Sequence, residues 1–273
     1  MKIQEMPRYN HYWYCEIISN FIKEGEFIPD YIGIRESDPA TLELLAKPNK
    51  ESILHLLADS ILNSIIDDEA DNMGDEEETI QDKITEFDVY KIKYLNKDSF
   101  LKKEGVTENS DGETVDGEST NDLYRKYLNE IYLDDLVPIL KVELFTTLFS
   151  NRLLMYQLSQ SLAEFISELK KSKHSQLLES DGTVLRHSQW PKWLERALFF
   201  RENGRCALCS KDLSGTLNVV EEKDLQIDHM VALFDGGSND ITNLQILCSA
   251  CNLKKINDKR LTTSSHHQVY YGQ

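Results

Sequence analysis

The sequence predicts a mainly α-helical protein in two parts: a helical N-terminal domain over residues 1–180 and a small cysteine-containing domain over residues 190–262. Two observations support this division. In several long segments of the first part, apolar residues recur every three or four positions, as they do in helices with one buried face. The second part contains four of the chain's five cysteines, arranged in two closely spaced pairs. We expect residues 263–273 to form a flexible tail, because an exposed terminus frays when nothing holds it.

Two segments near the N-terminus show the helical pattern most clearly. The first ends at Gly25, a residue type that commonly follows the last turn of a helix, and its predicted apolar face consists of Trp13, Ile17, Ile18, Phe21 and Ile22. The second has a longer apolar face, which consists of Ile53, Leu54, Leu57, Ile61, Leu62, Ile65 and Ile66. Between them, residues 39–46 are predicted to form a short helix that begins after Asp38, a favourable capping residue.

A third helical segment extends from about Leu136 to Lys171. If it is unbroken, its thirty-six residues span ~54 Å. The alternative is a helical hairpin that is broken near residues 150–151. Farther along, residues 182–189 are a predicted linker. Trp190-Pro191 then starts another helix, because proline fits the first turn, where its missing N–H is not needed.

The net charge of −17 comes largely from two acidic segments. Residues 67–78 contain eight acidic residues, residues 104–122 contain seven, and neither segment contains a base. Both are poor in apolar residues, so we predict loops that are either simply solvated or able to inhibit the second domain or dock a basic partner. The short alternation of Tyr90, Ile92 and Tyr94 with lysines is typical of a strand.

The charge balance outside these segments does not exclude a nucleic-acid partner. Without the fifteen acids of the two segments, residues 1–180 hold 21 acidic and 19 basic residues. Residues 181–273 hold 11 of each, so the second domain is neutral. The strong acidity of the chain therefore says little about the surface of its C-terminal part.

Neither a membrane span nor an export signal is predicted. No apolar run reaches the ~18 residues that a membrane span needs, and the first eight residues mix charge and proline where a signal peptide is apolar. We therefore expect a cytoplasmic protein without a membrane partner. Its cysteines should then stay reduced, so that closely spaced pairs indicate metal or redox chemistry and not a disulfide framework.

The cysteine spacing predicts a metal site. Cys206 and Cys209 form one CxxC pair and Cys248 and Cys251 form a second, with 38 residues between the pairs. Two thiolates three positions apart on a turn can face the same ion, and two such turns complete a tetrahedral zinc site. A single CxxC could also be a redox motif, but no thioredoxin-like βαβ pattern surrounds either pair. The four cysteines therefore predict structural Zn²⁺.

Several short motifs lie between and after the cysteine pairs. In order, they are Asp228-His229, Gly236-Gly237, Asn243-Leu-Gln and Cys251-Asn252-Leu-Lys254-Lys255. Thirteen residues separate His229 from Asn243, and eight separate Asn243 from Asn252. In this combination, over about residues 190–260, the chain resembles the HNH endonuclease family. The resemblance does not extend to residues 1–180.

The resemblance implies a ββα-metal fold, in which a two-stranded hairpin that carries His229 packs on a helix beginning near the second CxxC pair. It implies that His229 is the general base and that Asp228 and Asn252 bind a catalytic divalent ion, Mg²⁺ or another. Asn243 would hold the loop that carries the base and orient the imidazole through a backbone contact. This set suits hydrolysis of a phosphodiester, because a neutral imidazole can take a proton from water near pH 7.

The chain departs from the family pattern at two positions. Asn252 replaces the last histidine of the family name, and an amide oxygen suits Mg²⁺ better than imidazole does. Ala232 stands where many members have proline, which affects the stiffness of the loop more than the chemistry. Basic residues flank the motif on both sides, and we expect phosphate contacts from three of them, Arg205, Lys254 and Lys255.

These features predict a metal-dependent endonuclease that hydrolyses DNA and, as the family does, leaves 5′-phosphate and 3′-hydroxyl ends. One such site cuts one strand, so a double-strand break needs a homodimer or successive nicks. Analogy with HNH modules joined to unassigned domains suggests restriction or anti-phage defence as the setting, and we expect the helical domain to bind a protein partner. Two alternatives stay open: a non-catalytic zinc-knuckle scaffold that binds DNA or protein, and an HNH nuclease that cleaves RNA.

Overall fold

The computed structural model describes residues 10–25, 28–71, 76–115, 117–187, 189–215 and 224–257. Over these residues the protein is mostly helical and contains one two-stranded sheet, so the predicted fold class is confirmed. The predicted tail, residues 263–273, lies outside this range. None of the described helices has the length and apolar character that a membrane crossing requires.

The described elements follow one another in a simple order. The first helices are α1 (His11–Glu24), α2 (Ile28–Tyr31), α3 (Pro39–Ala46), α4 (Ile53–Asp71), α5 (Glu76–Tyr90) and α6 (Lys97–Glu104). They are followed by α7 (Thr120–Ile131), a π-helical turn (Tyr132–Leu136), α8 (Val137–Phe149), α9 (Arg152–Glu168) and α10 (Lys192–Arg201). The C-terminal elements are β1 (Gln226–His229), two 3₁₀ turns (Leu233–Asp235 and Ile241–Asn243), β2 (Leu244–Leu247) and α11 (Ser249–Asn257).

The helical segments predicted from apolar periodicity are present, and the third is broken near residues 150–151. Helix α8 ends at Phe149 and α9 begins at Arg152. Asn151 separates them because its side-chain oxygen accepts a hydrogen bond from the backbone N–H of Leu154, at 3.1 Å, and so caps α9. Helix α3 begins after Asp38 and α10 begins after Pro191, as predicted.

The buried face of α1 differs from the predicted one. Trp13 is 49% exposed, and the face that packs inward consists of His11, Tyr14, Cys15, Ile18 and Ile22. Tyr14 can be buried because its hydroxyl has polar partners. It lies 2.5 Å from the hydroxyl of Tyr132 and 3.4 Å from the carboxylate of Glu86. Satisfied hydrogen bonds thus decide which aromatic residue turns inward, and apolar periodicity does not detect them.

The two acidic segments are partly helical. Helix α4 extends to Asp71 and α5 begins at Glu76, so both ends of the predicted loop 67–78 belong to helices. Acidic residues in the first turn of α5 interact favourably with the positive end of its dipole. The segment between α6 and α7 is a loop, in which the N–H of Asn109 donates to the carbonyl of Glu113 at 2.9 Å. The strand-like alternation over residues 90–94 does not form a strand, because α5 continues to Tyr90 and a loop follows.

The chain divides into two compact units. One consists of residues 1–15 and 58–144, and the other of residues 16–57 and 145–273. In the first, α5 and α7 contribute large buried side chains such as Phe87 and Tyr124. The second unit combines the cysteine-containing region with α2, α3 and α9. Compactness does not show which segments fold alone, so the predicted domain boundary near residues 180–190 stays a prediction.

Helix α9 is central to the second unit. Its buried side chains include Leu154, Met155, Leu158, Leu162 and Ile166. The predicted linker over residues 182–189 is not a free connection, because Val184 is fully buried and pairs with Leu178 in an isolated β-bridge. The N–H of Leu185 also donates to the carbonyl of Leu177, at 2.9 Å. Thr183 and Val184 are therefore part of the core of the unit.

The segment between β1 and β2, residues 230–243 (the site loop), contains two glycines that lie very close to neighbouring backbone atoms. A Cβ atom on Gly236 would lie 2.4 Å from the carbonyl oxygen of Ala163, in α9. A Cβ atom on Gly237 would lie 2.0 Å from the carbonyl oxygen of Val231 and 2.9 Å from the side-chain nitrogen of Asn243. The carbonyl oxygens of Ala163 and Val231 belong to the backbone, so neither can move aside without distorting the chain.

We predict that Gly237→Ala lowers the free energy of unfolding by about 2–3 kcal/mol, because the methyl group must displace the backbone of the site loop. Denaturant unfolding of the full chain measures this change. Gly117→Ala is the control: it has the strain of a left-handed backbone (φ 80°), which Gly237 does not have, but open space around the new Cβ, so it should cost about 1 kcal/mol. Equal losses in the two variants would contradict the close approach.

Candidate active site

The C-terminal elements form an antiparallel hairpin followed by a helix. Strand β1 pairs with β2 in the register Ile227↔Ile246, Asp228↔Gln245 and His229↔Leu244. Strand β2 is buried along its whole length, whereas β1 is partly exposed. Helix α11 begins at Ser249, within the second CxxC pair, and packs on β1. The expected hairpin and helix are therefore present, with Asp228 and His229 at the end of the partly exposed strand.

The two CxxC pairs come together at one end of the hairpin. The sulfur atoms of Cys206, Cys209, Cys248 and Cys251 all lie within 4.8 Å of one another. The sulfurs of Cys209 and Cys248 are 3.7 Å apart, close to the separation of about 3.8 Å that four Zn–S bonds in a tetrahedron produce. The N–H of Ala207 donates to the carbonyl of Ile246, at 2.9 Å, and so ties the first turn to β2. The four cysteines could bind a structural zinc ion.

The imidazole of His229 has a defined orientation. Its Nε2 lies 2.9 Å from the side-chain oxygen of Asn239. The amide nitrogen of Asn239 donates to the carbonyls of Ala46 and Leu185, at 2.7 and 2.8 Å, so the amide oxygen must face the ring. An amide oxygen only accepts hydrogen bonds. Nε2 therefore carries the proton, and Nδ1 of the neutral ring has a free lone pair.

The electrostatic surroundings favour this neutral form. Burial of the ring lowers the pKa of His229, and the positive charges of Lys255 and Arg186 lower it further, against the opposite effects of Asn239 and Asp228. The ring also packs edge-on against Trp190, with centroids 5.8 Å apart. Among the residues that the structure describes, none hydrogen-bonds to Nδ1. This nitrogen can act as a base towards a water molecule.

Asn239 is fixed by segments far away in the sequence. It is fully buried, and its backbone N–H donates to the carbonyl of Leu45, at 2.8 Å. Leu45 and Ala46 are the last residues of α3. The next residue, Asp240, accepts a hydrogen bond at 3.2 Å from the N–H of Ile53, the first residue of α4. The site loop is thus attached to the helices that precede it by more than a hundred and eighty residues.

Asn243 closes the site loop on itself. Its side-chain oxygen accepts from the N–H of Val231 at 2.8 Å, and its side-chain nitrogen donates to the carbonyls of Val231 at 3.0 Å and Ser238 at 2.9 Å. Its backbone carbonyl accepts from the N–H of Met230 at 2.6 Å. These bonds hold the backbone next to His229, while the direct contact with the imidazole comes from Asn239.

Asp228 lies beside His229 and has two partners on the same oxygen. Its Oδ2 accepts from the side-chain amide of Gln245 at 2.7 Å and from the ammonium group of Lys255 at 2.6 Å. The ammonium group also contacts the carbonyl of His229. Lys255, expected to contact phosphate, therefore contributes to the site itself. Within the described part of the chain, no group hydrogen-bonds to the other carboxylate oxygen, Oδ1.

Asn252 lies on the same side of α11 as Lys255, three positions earlier, where side chains share one face of a helix. Because Lys255 reaches Asp228, this face is the one that packs on β1. A carboxylate oxygen and an amide oxygen are ligands that suit a hard divalent cation. The free Oδ1 of Asp228 and the side chain of Asn252 therefore fit the chemistry of such an ion.

The other two residues expected to contact phosphate lie outside this cluster. Arg205 is exposed, and its guanidinium donates to the carbonyl of Ser210 at 3.1 Å. Lys254 is exposed on α11, next to Lys255. Both side chains are exposed and accessible to a ligand, but no described contact joins them to His229 or Asp228.

Comparison with known proteins agrees with this geometry. Residues 206–258 match the family model of the HNH endonucleases. The match begins at the first zinc-site cysteine and includes Asp228, His229, Asn243 and Asn252. The resemblance seen in the sequence is thereby confirmed for this region, and it indicates nuclease activity in general and a nucleic-acid substrate. No curated protein and no solved structure matches the chain.

Sequence reasoning missed three residues that contact the site. Asn239 and Gln245 bind the side chains of His229 and Asp228, and Trp190 packs on the imidazole. For Gln245 a signal existed, because it belongs to the Asn243-Leu-Gln motif. Asn239 and Trp190 carry no such signal, since their contacts depend on how the site loop and the segment before α10 fold.

We predict that Cys209→Ser abolishes zinc binding, because three thiolates and a hydroxyl do not complete the tetrahedral site. Elemental analysis of the purified full chain should fall from about one zinc per chain to nearly none. Cys15→Ser is the matched control, because Cys15 is a buried thiol in α1 outside the cluster. Loss of zinc from the Cys15 variant, or full zinc in the Cys209 variant, would contradict the assignment.

Proposed function

We propose that this protein is a metal-dependent endonuclease that hydrolyses DNA phosphodiester bonds with His229 as the general base. The observation that carries the proposal is the amide of Asn239, whose two donor bonds force its oxygen towards Nε2 of the imidazole. A ring held in this tautomer presents Nδ1 as an acceptor. The carboxylate of Asp228 lies on the neighbouring residue of the same strand.

The proposed reaction is an in-line displacement at phosphorus. Nδ1 of His229 takes a proton from water as the water oxygen forms a bond to phosphorus. The bond between phosphorus and the 3′ oxygen breaks, the electron pair goes to that oxygen, and a proton from solvent completes the 3′-hydroxyl. The 5′ side keeps the phosphate. The lowered pKa of His229 keeps the ring neutral and ready to accept a proton at pH 7.

We assign the catalytic cation to Asp228 and Asn252. When bound there, Mg²⁺ or another divalent ion supplies a Lewis acid that stabilises charge on the phosphate and the leaving oxygen. The free Oδ1 of Asp228 supports this assignment, because its other oxygen already accepts two hydrogen bonds. Arg205 and Lys254, both exposed, are the proposed phosphate contacts outside the metal site.

One such site cuts one strand. A homodimer or successive nicks would produce a double-strand break. By analogy with other HNH modules joined to an unassigned domain, we place the activity in restriction or anti-phage defence. We also propose that the helical N-terminal domain, residues 1–180, binds a protein partner, because the neutral C-terminal region has little charge of its own to hold DNA. Purification of the chain without any partner, together with full activity of the isolated chain, would contradict this proposal.

We predict that wild-type protein nicks supercoiled plasmid in Mg²⁺ or Mn²⁺, that EDTA abolishes nicking, and that His229→Ala slows it by about 10²-fold or more. Agarose gel electrophoresis measures the loss of the supercoiled form. The zinc content of the variant serves as the control for folding, since all four cysteines are unchanged. Equal nicking by the wild type and the variant would show that His229 is not the base.

A second prediction concerns the tautomer. Asn239→Leu keeps the side-chain volume but removes the acceptor for Nε2, so kcat for nicking should fall by about 10²-fold. Thr242→Val is the matched control: it removes a buried hydrogen bond to Asp240 in the same loop without touching the imidazole. It should change kcat by only a few-fold, and thermal unfolding of both variants checks the fold. Similar losses of kcat in the two variants would reduce Asn239 to a purely structural role.

A further inference from the structure

We propose that Gln245 and Arg152 are positioning residues for the metal-binding carboxylate of Asp228, and that they make α9 a functional part of the nuclease site. This inference rests on the proposed function, in which Asp228 binds a divalent cation. Gln245 is fully buried and lies directly opposite Asp228 in the hairpin. Its side-chain nitrogen donates to Oδ2 of Asp228 at 2.7 Å, which leaves Oδ1 for the cation.

Arg152 determines which way the amide of Gln245 points. Its Nη2 donates to the side-chain oxygen of Gln245, at 2.7 Å. A guanidinium group can only donate and a carboxylate can only accept. If the amide were reversed, it would place its nitrogen against Arg152 and its oxygen against Asp228, and both hydrogen bonds would be lost. The guanidinium of Arg152 thus ensures that the amide nitrogen of Gln245, and not its oxygen, faces Asp228.

Arg152 is itself held on three sides. It is 5% exposed, its Nη1 donates to the carbonyl of Ala207 at 3.0 Å, and its Nε lies 3.1 Å from the carboxylate of Glu202. Burial lowers the pKa of Arg152, and the negative charge of Glu202 opposes that effect. A guanidinium stays protonated in proteins. A buried ion pair of this kind adds little net stability. The guanidinium contributes its fixed, forked arrangement of hydrogen-bond donors.

The same guanidinium therefore connects the two metal sites of the second unit. Ala207 lies between Cys206 and Cys209, in the first turn of the zinc cluster. Through Gln245, Arg152 also reaches Asp228. Arg152 is the first residue of α9 and lies outside the residues that match the HNH family. We infer that the family region needs α9 to hold its metal-binding carboxylate in place.

The test is the affinity for Mn²⁺, measured by isothermal titration calorimetry on the zinc-loaded full chain. Gln245→Met has a similar length but cannot donate to Asp228, and it should weaken Mn²⁺ binding by about 10- to 100-fold. Arg152→Met should weaken it by a similar factor. In the double variant the two losses should not add, because both act through one chain of hydrogen bonds. Raising the Mn²⁺ concentration should restore much of the nicking by Gln245→Met.

Arg201→Met is the matched control. Arg201 is also buried and pairs with Glu202, at 2.8 Å, but it donates to the carbonyl of Leu244 and not to Gln245. It should leave the Mn²⁺ affinity within a few-fold of the wild type. If Arg152→Met does not fold, Gln245→Met alone carries the test, because it leaves the ion pairs of Glu202 with Arg152 and Arg201 intact.

The inference is overturned if Gln245→Met binds Mn²⁺ as the wild type does, if Arg201→Met weakens binding as much as Arg152→Met, or if the wild type binds no Mn²⁺. These outcomes are distinct from failure of the proposed function. A wild type that binds Mn²⁺ but does not nick plasmid would refute the nuclease, while the Mn²⁺ affinities of the variants would still decide the roles of Gln245 and Arg152.

Discussion

The arrangement of the site depends on one constraint: a buried amide group must have partners for both its oxygen and its nitrogen. Asn239, Asn243 and Gln245 are all fully buried between β1 and the end of β2. Each has its amide nitrogen directed at carbonyl or carboxylate oxygens, so that the direction of its oxygen follows. Asn239 thereby selects the tautomer of His229, Asn243 closes the site loop, and Gln245 orients Asp228.

Some partners of these amides come from outside the family region. Asn239 bonds to carbonyls of Ala46 and Leu185, and Gln245 bonds to Arg152. These residues lie in the same compact unit as the cysteine cluster and the hairpin. A small hairpin with a cysteine cluster has too little core to define such positions alone, and the earlier segments supply the missing polar groups.

Much of the fold and part of the site could be predicted from local patterns. The spacing within each CxxC pair, the adjacency of Asp228 and His229, and the helix break at Asn151 all depend on neighbours within a few positions. Predictions failed where distant contacts compete with a local pattern. The inward face of α1 follows the hydrogen bonds of Tyr14, and acidic residues predicted as a loop extend two helices. Residues 182–189 have the composition of a linker. The hydrogen bond from the N–H of Leu185 to the carbonyl of Leu177 is not visible in that composition.

The sequence by itself determined which chemical groups are available: four thiolates at zinc-ligand spacing, a histidine next to an aspartate, and the amides that follow them. It could do so because a ligand set or a short motif depends on residue type and spacing along the chain. Only the tertiary structure decided how these groups are oriented. The tautomer of His229 depends on the hydrogen bonds that Asn239 donates to Ala46 and Leu185, and the free oxygen of Asp228 depends on the one that Arg152 donates to Gln245. Those bonds join residues that are far apart in sequence, and no local pattern records them.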